Sequence, residues 1–596
     1  MKKSNKKDQS QMESAPSSIV AQLFYGQIDE RDVFPFPTID GEKRETIMAM
    51  GEAVLRYGKQ AIDSKKLDEE SLIGEEIYRG LSELGLMGVG VPEEFGGLGQ
   101  DATGYAKIFS YLSTIDSSVA TMLGAHQSIG YKALVLYGTQ EQKDKYLPRL
   151  ATGEMLAAFC LTEPSSGSDA YSIRTKAEEK ADGSFSISGQ KLWITNGGRA
   201  DFYTVFCKTK HQINGKVREK ISCFFVEKGA PGLSFGEKED KMGIRASETR
   251  AVFFDQVHVP KENMIGEPGA GFKIAMNVLN SGRFSLGSSS VGAMERIFSL
   301  ALKHACERKQ FNQKLISFGI IQDKLARMLA NIYTLESMVY LTTGRMDQGQ
   351  KDYSLESAIC KVYASERLWE TVDMGLQIAG GIGYMREYPY ERMMRDARIN
   401  LIFEGTNEIL RVFIALSGMR GPGETLKDVG KLASSVTKAL LDPIKSVGIL
   451  THFVKRRIDK MMSKTLSQCH PKMEEHGANW SKMLSAFSID VENTLMKYGK
   501  NIIGNELPQK RIADMAIALY SILSVLSRTT SILNRKDVDE EKKRYMVDLA
   551  DIACRQERHR FMAANREMDS NLDKQIKRVT AKCEEYGGHG FDILDY

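Results

Sequence analysis

Apolar residues recur at two different spacings along this chain. From about 41 to 155, and again from about 272 to the C-terminus, they fall three or four positions apart, which predicts amphipathic helices. Between about 156 and 271 they gather instead in short runs rich in β-branched and aromatic residues, separated by Gly, Asn and Pro, which predicts strands and turns. Representative positions are Ile47, Met50 and Val54 for the first pattern and Tyr203, Val205 and Phe224 for the second.

These patterns indicate a mainly α-helical protein with a central β domain. At 596 residues the chain is too long for a single core. Phe34-Pro35-Phe36-Pro37 favours extended backbone, and a further helical region lies beyond Gly421-Pro422-Gly423. We predict an N-terminal arm (1–40), an N-terminal helical domain (41–155), a middle β domain (156–271), a four-helix-bundle domain (272–420) and a C-terminal helical extension (421–596).

One stretch of the extension has an apolar side and a basic side. Its apolar positions are Leu432, Val436, Leu440, Ile444, Val447 and Val454, with a kink expected at Pro443. Its basic positions are Lys438, Lys445, Lys455, Arg456 and Arg457. Such a helix can rest on an anionic lipid surface, or it can be the outer helix of an ordinary bundle. The sequence leaves both interpretations open.

Composition and charge exclude several classes of protein. A hydrophobic fraction of 42% and a charged fraction of 27% are those of an ordinary soluble protein. A net charge of +4 argues against a nucleic-acid-binding protein, which usually has a strongly basic face. No apolar run reaches the roughly 18 residues of a membrane-spanning helix, and no apolar stretch follows the lysines of the N-terminus as in a secretory signal.

The eight cysteines are scattered, with no C-x-x-C pair and no histidine at zinc-ligand spacing. Neither a disulfide framework nor a metal site is therefore indicated, and a reducing compartment fits best. We expect a cytoplasmic protein, with peripheral contact at the inner membrane surface as an option.

A basic segment that is predicted to be helical ends in an apolar run, which leads directly into Glu404. This glutamate is flanked by Ile402, Phe403 and Gly405. A carboxylate in such surroundings is poorly solvated, so its pKa should rise toward that of a general base at neutral pH. Glu404 is therefore the first candidate for catalysis.

Two further segments place small hydroxyl residues and glycines beside aromatic or apolar residues. They run from Phe159 to Asp169 and from Gly189 to Gly198. Hydroxyls can hydrogen-bond a flat heterocycle, and glycines let backbone amides approach a phosphate. Both segments are thus candidates for binding one cofactor.

Together these motifs resemble the acyl-CoA dehydrogenase family over about residues 18 to 418. The order of a helical, a β and a second helical domain agrees, and the segments 125–130 and 317–328 add to the likeness. The long helical extension is similar to that of the very-long-chain type within the family. The resemblance implies FAD buried between the β domain and the second helical domain, with a long-chain acyl-CoA beside it.

The resemblance also implies the reaction. A base removes a proton from the α-carbon while hydride passes from the β-carbon to flavin N5, and trans-2-enoyl-CoA results. By motif position Glu404 is that base, and its backbone amide would help to stabilise the developing enolate. Some relatives place the base just before an arginine in the first long helix after the β domain. Here Gly282 precedes Arg283, so that alternative is excluded by the sequence.

Cofactor contacts are implied residue by residue. Leu161 and Thr162 would meet the isoalloxazine ring, Trp193 would stack on it and Thr195 would donate toward N5. Ser168 would reach the pyrophosphate or CoA. Phe159, Gly167 and Ile194 belong to the same segments. Plain strand packing for Trp193 and an ordinary turn for the serines are the alternatives.

A neighbouring subunit would complete the FAD site. Arg308, Gln310 and Phe311 resemble the family segment that crosses to the partner, where an arginine fork suits pyrophosphate. Gln377, Gly380 and Gly381 would form the rest of the adenosine-diphosphate cradle by the same route. A surface arginine and a plain helix-to-loop turn remain the alternatives. The chain should accordingly be a homodimer.

Substrate contacts are implied for Asn280, Arg283 and Gly405, with Ser168 shared between cofactor and substrate. Thr406 and Asn407 would touch the adenine end of FAD or fix Glu404, and Glu408 belongs to the same motif. Electron-transferring flavoprotein is the electron acceptor that the family implies. The rival hypotheses are an acyl-CoA oxidase, which passes electrons to oxygen, and a non-catalytic assembly protein of the same fold.

Overall fold

A computed structural model describes residues 18–434, 466–592 and 594 of the chain. It divides into two compact units. The larger unit comprises Val33–Leu410 and Ser527–Ala553, and the smaller one comprises Met1–Asp32, Arg411–Leu526 and Cys554–Tyr596 as far as these are described. The predicted class, mainly α-helical with a central β domain, is confirmed.

The larger unit begins with a helical layer, as the apolar spacing predicted. Side chains cap several of its helices: Asp116 accepts hydrogen bonds from the backbone of Ser118 and Val119 at 2.8 and 3.0 Å. A π-helical turn, Ala125–Gly130, interrupts the layer. The helices are α2 (Gly41–Ala61), α3 (Ser64–Glu70), α4 (Glu75–Glu83), α5 (Ala102–Ile115), α6 (Ser117–Gly124), α7 (Lys132–Tyr137) and α8 (Gln140–Thr152).

The strands of the β domain follow, between Ala157 and Ile265. Its strands are β1 (Ala157–Cys160), β2 (Lys176–Glu179), β3 (Phe185–Thr195), β4 (Phe202–Ile213), β5 (Lys216–Glu227), β6 (Leu233–Lys238), β7 (Thr249–Val259) and β8 (Met264–Ile265). They form one sheet in the order β6-β7-β3-β2-β4-β5-β8, with β1 parallel to β4. The register of β3 against β7 shifts between Lys191 and Ile194, a bulge that turns the intervening residues out of the ladder.

Long helices complete the larger unit. They are α9 (Gly271–Glu307), α10 (Gly319–Asp347), α11 (Ser354–Ala379), α12 (Gly381–Tyr384) and α13 (Tyr390–Arg398), and the short hairpin of β9 (Lys309–Gln310) and β10 (Gln313–Lys314) separates the first two. Ser527–Ala553 of the predicted extension also lies in this unit, where Arg528 pairs with the partly buried Glu336 at 2.7 Å.

The smaller unit is helical. It contains α1 (Ile19–Phe24), most of α14 (Asn407–Ser434), α15 (Glu474–Tyr498), and parts of α16 (Glu506–Asn534) and α17 (Glu540–Asp569), followed by α18 (Asp573–Tyr586). The ring of Phe24 packs edge-on against Phe487 with centroids 5.0 Å apart. The predicted N-terminal arm thus contains a buried helix rather than only extended chain.

Helix α14 runs through Gly421-Pro422-Gly423, where the sequence predicts the start of the C-terminal extension. Both glycines allow close packing: a Cβ on Gly421 would collide with the Tyr25 hydroxyl, and one on Gly423 would touch Leu495 at 3.5 Å. Packing therefore outweighs the local tendency of Gly and Pro to end a helix.

Helix α16 corrects the expectation about apolar runs. It reaches a mean hydropathy of 1.4 over 18 residues, so it is long and apolar enough to cross a membrane. However, 83% of that window is buried inside the protein, as in the core helix of a bundle. The basic helix predicted around Val436 to Val454 lies outside the described residues.

Candidate active site

A cavity of about 110 Å³ lies inside the larger unit, among α5, α6, α9 and the π-helical turn. Small side chains form most of its wall, and Glu404 and Thr195 both contribute to it. Two residues predicted from separate sequence motifs are therefore brought to one space. The small wall residues are Ser113, Ser117, Ala120, Thr121, Gly124, Ala125, Ser128, Gly282, Ser285, Ser289, Ser290 and Ala293.

Glu404 lies on a loop with unusual backbone geometry. Its φ is 60° and that of Gly405 is 92°, so two consecutive residues occupy the left-handed region. This region is costly for a residue with a side chain. The Oε2 atom of Glu404 is enclosed and has no hydrogen-bond partner among the described residues. Burial raises the pKa of Glu404 to about 7, although the charges of Arg283 and Lys361 oppose this rise.

Lys361 of α11 supports this loop from beneath. It is 0% exposed, and its Nζ donates to the carbonyl oxygen of Gly405 and to Oδ1 of Asn407, each at 2.8 Å. Asn407 also donates to Oγ of Ser365 at 3.0 Å. Burial lowers the pKa of Lys361 to about 7, while the carboxylate of Glu404 raises it.

Sequence reasoning missed Lys361, although a signal was present. The residue stands within the apolar run Ala358-Ile359-Cys360-Lys361-Val362-Tyr363 of a helix whose neighbouring positions are all buried. A lysine at the centre of such a run is rarely buried without partners that hold its charge. The partners themselves could not be read from the sequence.

Arg283 and Asn280 face each other rather than open solvent. Arg283 is 6% exposed, and it donates to Oδ1 of Asn280 at 2.9 Å and to the carbonyl oxygen of Glu404 at 3.3 Å. Asn280 also accepts from Ser357 at 3.5 Å. The structure thus places both predicted substrate residues beside the Glu404 loop, and their contact with CoA stays a prediction.

Gly282 lies directly against the carboxyl group of Glu404. A Cβ on Gly282 would be 2.6 Å from Oε2 and 2.9 Å from Cδ of Glu404, and 3.0 Å from Cγ2 of Ile129. The two positions at which the family is expected to place its base therefore converge on one space. A side chain at 282 and the present position of Glu404 exclude each other.

The two candidate cofactor segments lie side by side. The backbone N–H of Leu192 donates to the carbonyl oxygen of Thr162 at 2.9 Å, and Nζ of Lys191 donates to that of Leu161 at 3.1 Å. Lys191 also forms a buried ion pair with Glu163 at 2.7 Å, which sequence reasoning did not foresee. This pair fixes the end of β1 to β3.

Trp193 projects from the bulge of β3 with a φ of 55°, and its side chain is 61% exposed. A large ring held in a left-handed conformation on the surface is unfavourable unless something covers it. Thr162 lies in the adjoining segment, and Thr195 reaches the cavity of Glu404. An exposed indole, two hydroxyls and a cavity with a carboxylate fit the flat ring of FAD, while plain strand packing does not describe Trp193.

The remaining predicted cofactor residues differ in exposure. Gly167 and Ser168 are exposed in a turn, whereas Ile194 is buried in the β-domain core, so only its backbone can reach a ligand. The ring of Phe159 packs on Phe206 with centroids 5.1 Å apart. Oγ1 of Thr406 accepts from the backbone of Ile409 at 3.3 Å, and Glu408 is exposed.

Asn407 is buried, and its side chain is hydrogen-bonded to Lys361 and Ser365, which favours the alternative that it fixes the loop.

The residues expected to serve a partner subunit are all exposed in the single chain. Phe311 is the extreme case at 88%. The others are Arg308, Gln310, Gln377, Gly380 and Gly381. Within the described part of the chain, no group of three or more His, Cys, Asp or Glu side chains could hold a metal ion.

This arrangement of a helical domain, a β domain and a second helical domain around a buried carboxylate defines a class of flavin-dependent dehydrogenases. Three family descriptions match consecutive segments. The acyl-CoA dehydrogenase N-terminal domain matches residues 44–154, the middle domain 158–257 and the C-terminal domain 269–419. A fourth, the ACAD9/ACADV C-terminal domain, matches residues 471–588.

Relatives cover nearly the whole chain. The human very long-chain specific acyl-CoA dehydrogenase, mitochondrial, is 41% identical over 96% of this chain and 88% of its own. A probable acyl-CoA dehydrogenase of Bacillus subtilis is 35% identical over 79% and 78%. A crystal structure of acyl-CoA dehydrogenase complexed with FAD from Bacillus anthracis is 34% identical, with a TM-score of 0.75 over 92% and 91%. The chain belongs to the acyl-CoA dehydrogenase family, and it is an enzyme.

Substitution of Gly282 tests whether the space beside Glu404 is as tight as the geometry indicates. Gly282→Ala should slow the bleaching of bound flavin by acyl-CoA about 100-fold, because the new methyl group displaces the carboxylate by roughly 1 Å. Gly287→Ala on the same helix is the matched control, since its Cβ would first meet Val339 at 3.3 Å. Equal rates for the two variants would contradict the assignment.

Proposed function

We propose that Glu404 is the base of the reaction and that the substrate is a long-chain acyl-CoA. The reaction is FAD-dependent dehydrogenation of fatty acyl-CoA, as in fatty acid oxidation. FAD, when bound, supplies the two-electron acceptor for the hydrogen that leaves the β-carbon. The observation that carries the proposal is the enclosed, unpartnered Oε2 of Glu404 in the wall of the cavity.

The electrostatics of Glu404 suit a base at neutral pH. A carboxylate with a pKa of 4.5 is too weak a base to remove an α-proton efficiently, and burial raises the pKa of Glu404 to about 7. Its backbone N–H is directed by the left-handed loop and would donate to the thioester oxygen as negative charge develops there. Leu161, Thr162, Trp193 and Thr195 would hold the flavin ring beside the α- and β-carbons and exclude water.

Two neighbouring cavities support the proposal that the substrate has a long acyl chain. Ser113, Ser117 and Asp396 line the cavity beside Glu404 and also line a second cavity of about 980 Å³ between α2 and α13. The two cavities therefore adjoin each other at these three residues. A chain that outgrows the first cavity has room to extend, and a short chain leaves much of the apolar wall uncovered.

The test is anaerobic bleaching of bound flavin near the 450 nm band by saturated acyl-CoAs of rising chain length. We expect faster bleaching by long than by short chains, and a loss of at least about 1000-fold in Glu404→Gln, since the amide cannot accept the proton. In the native protein the rate should fall as the pH drops through about 7, because the base must be ionised.

Each failure would have a distinct meaning. Bleaching that survives in Glu404→Gln would move the base elsewhere, and a protein purified without flavin would favour the assembly hypothesis. After bleaching, the flavin colour should return quickly with oxidised electron-transferring flavoprotein and slowly with dissolved oxygen. This result would support that carrier as the electron acceptor. Fast recovery with oxygen would favour an oxidase.

A homodimer is part of the proposal, because the residues assigned to the shared cofactor site are exposed. We expect sedimentation at twice the chain mass, and we expect Phe311→Asp to reduce dimer and bound flavin together, since an exposed aromatic ring is a typical interface anchor. Met48→Asp, also at an exposed apolar side chain, is the control. A monomeric Phe311→Asp protein that keeps all its flavin would overturn the shared site.

Peripheral membrane contact and a cytoplasmic location also stay proposals. The mammalian relatives are named as mitochondrial, so cell fractionation must decide the compartment. Substituting Lys445, Lys455 and Arg456 by Gln should weaken binding to anionic vesicles about 100-fold at low salt, since each basic residue contributes roughly 1 kcal/mol. Neutral vesicles are the control, and no binding of the native protein to either would refute the contact.

A further inference from the structure

The loop that carries Glu404 needs an external support. Two left-handed residues in succession, Glu404 and Gly405, are not held by helix or strand hydrogen bonds, and the helix α14 starts only at Asn407. A non-glycine residue in this region persists only where its surroundings fix it. Whatever holds Gly405 and Asn407 therefore also fixes the carboxyl group of Glu404.

The ammonium group of Lys361 holds both. It donates to the Gly405 carbonyl oxygen and to Oδ1 of Asn407 at 2.8 Å each, from a side chain with no exposure to solvent. A fully buried lysine costs several kcal/mol unless its charge is compensated. Here the compensation comes from a carbonyl, an amide oxygen and the carboxylate of Glu404 nearby.

We propose that Lys361 is a positioning residue for the base: its ammonium group fixes the loop of Glu404 and favours the ionised, proton-accepting form of that carboxyl. This inference rests on the proposed role of Glu404. It assigns to Lys361 a task distinct from contact with substrate or cofactor.

The charges around Glu404 and Lys361 determine whether the loss of Lys361 raises or lowers the pKa of Glu404. Arg283 on α9 and Lys361 on α11 face Glu404, and Glu366 and Glu408 add negative charge near Lys361. Each cation opposes the rise that burial causes in the pKa of Glu404. Removing the charge of Lys361 should therefore raise this pKa further, while Arg283 keeps part of the effect.

The first measurement is the pH dependence of anaerobic flavin bleaching by one saturated long-chain acyl-CoA. In Lys361→Met the acid side of the rate profile should move upward by about one pH unit. Lys361→Arg keeps the charge and should retain most of the native profile. Ser365→Ala removes a partner of Asn407 without changing any charge, so it should lower the rate at most and leave the profile in place.

The second measurement does not depend on turnover. The folded-state pKa of Glu404 lies above its ordinary value of 4.5, so its protonation stabilises the fold below that value, and this contribution is lost as the pH rises through about 7. In Lys361→Met the decrease of the thermal unfolding midpoint with rising pH should continue to a higher pH than in the native protein. Glu404→Gln should remove the part of this dependence that Glu404 causes in both backgrounds, while Asp396 of α13, which lines the same cavity and whose pKa burial also raises to about 7, keeps its own part.

The outcomes separate the two proposals. If Glu404→Gln still bleaches, the base is elsewhere, yet the unfolding curves still report the influence of Lys361 on Glu404. If Lys361→Met does not fold, Asn407→Asp gives the same test, because a carboxylate beside Lys361 neutralises its charge. Rate and unfolding profiles that stay at their native pH in the variant that folds would overturn the inference.

Discussion

The structure of the site depends on one interaction, the burial of a carboxylate between two buried cations on a left-handed loop. Arg283 reaches the loop from α9 and donates to the carbonyl oxygen of Glu404, and Lys361 reaches it from α11 and donates to that of Gly405. Among the described residues, none hydrogen-bonds Oε2 of Glu404, so neither cation bonds both oxygens of the carboxylate. The hydrogen bonds fix the backbone and leave Oε2 free of partners, so the reactive atom is oriented without being neutralised.

Space beside this carboxylate comes from small residues, and three of their hydroxyl groups form hydrogen bonds within the protein. Ser128 donates to Gly124 at 2.6 Å and Ser290 to Leu286 at 2.8 Å, each one turn back along its own helix. Ser285 pairs with the Tyr105 hydroxyl at 3.3 Å. Such serines present mainly methylene surface to the cavity, so a wall rich in hydroxyls is compatible with an apolar acyl chain. Larger apolar side chains at these positions would fill the space instead.

Sequence reasoning predicted what is local and missed what is distant. The apolar flanks of Glu404 predicted its raised pKa, and the change of spacing near residue 156 predicted the β domain, because both signals lie within a few residues. Lys361 and the Lys191–Glu163 pair depend on elements far apart in sequence, so their partners could not be named. At Gly421 and Gly423 the sequence predicts the start of a new region, but α14 continues through them, because the glycines allow close packing against Tyr25 and Leu495.

Burial and the nearby cations shift the pKa of Glu404 in opposite directions, and the movement of charge in the proposed reaction explains why both are present. When the α-proton passes to Glu404, the negative charge leaves that carboxyl and develops on the thioester oxygen close by. Arg283 and Lys361 stay where they are, so in the proposed reaction the cations that weaken the base would also stabilise the enolate that it generates. Burial restores the basicity that the cations remove, and the pKa of about 7 is the balance of the two. A site with the carboxylate but without the cations would hold a stronger base and a less stable enolate, so the proposed reaction gives the buried lysine and arginine a role in the chemistry as well as in the fold.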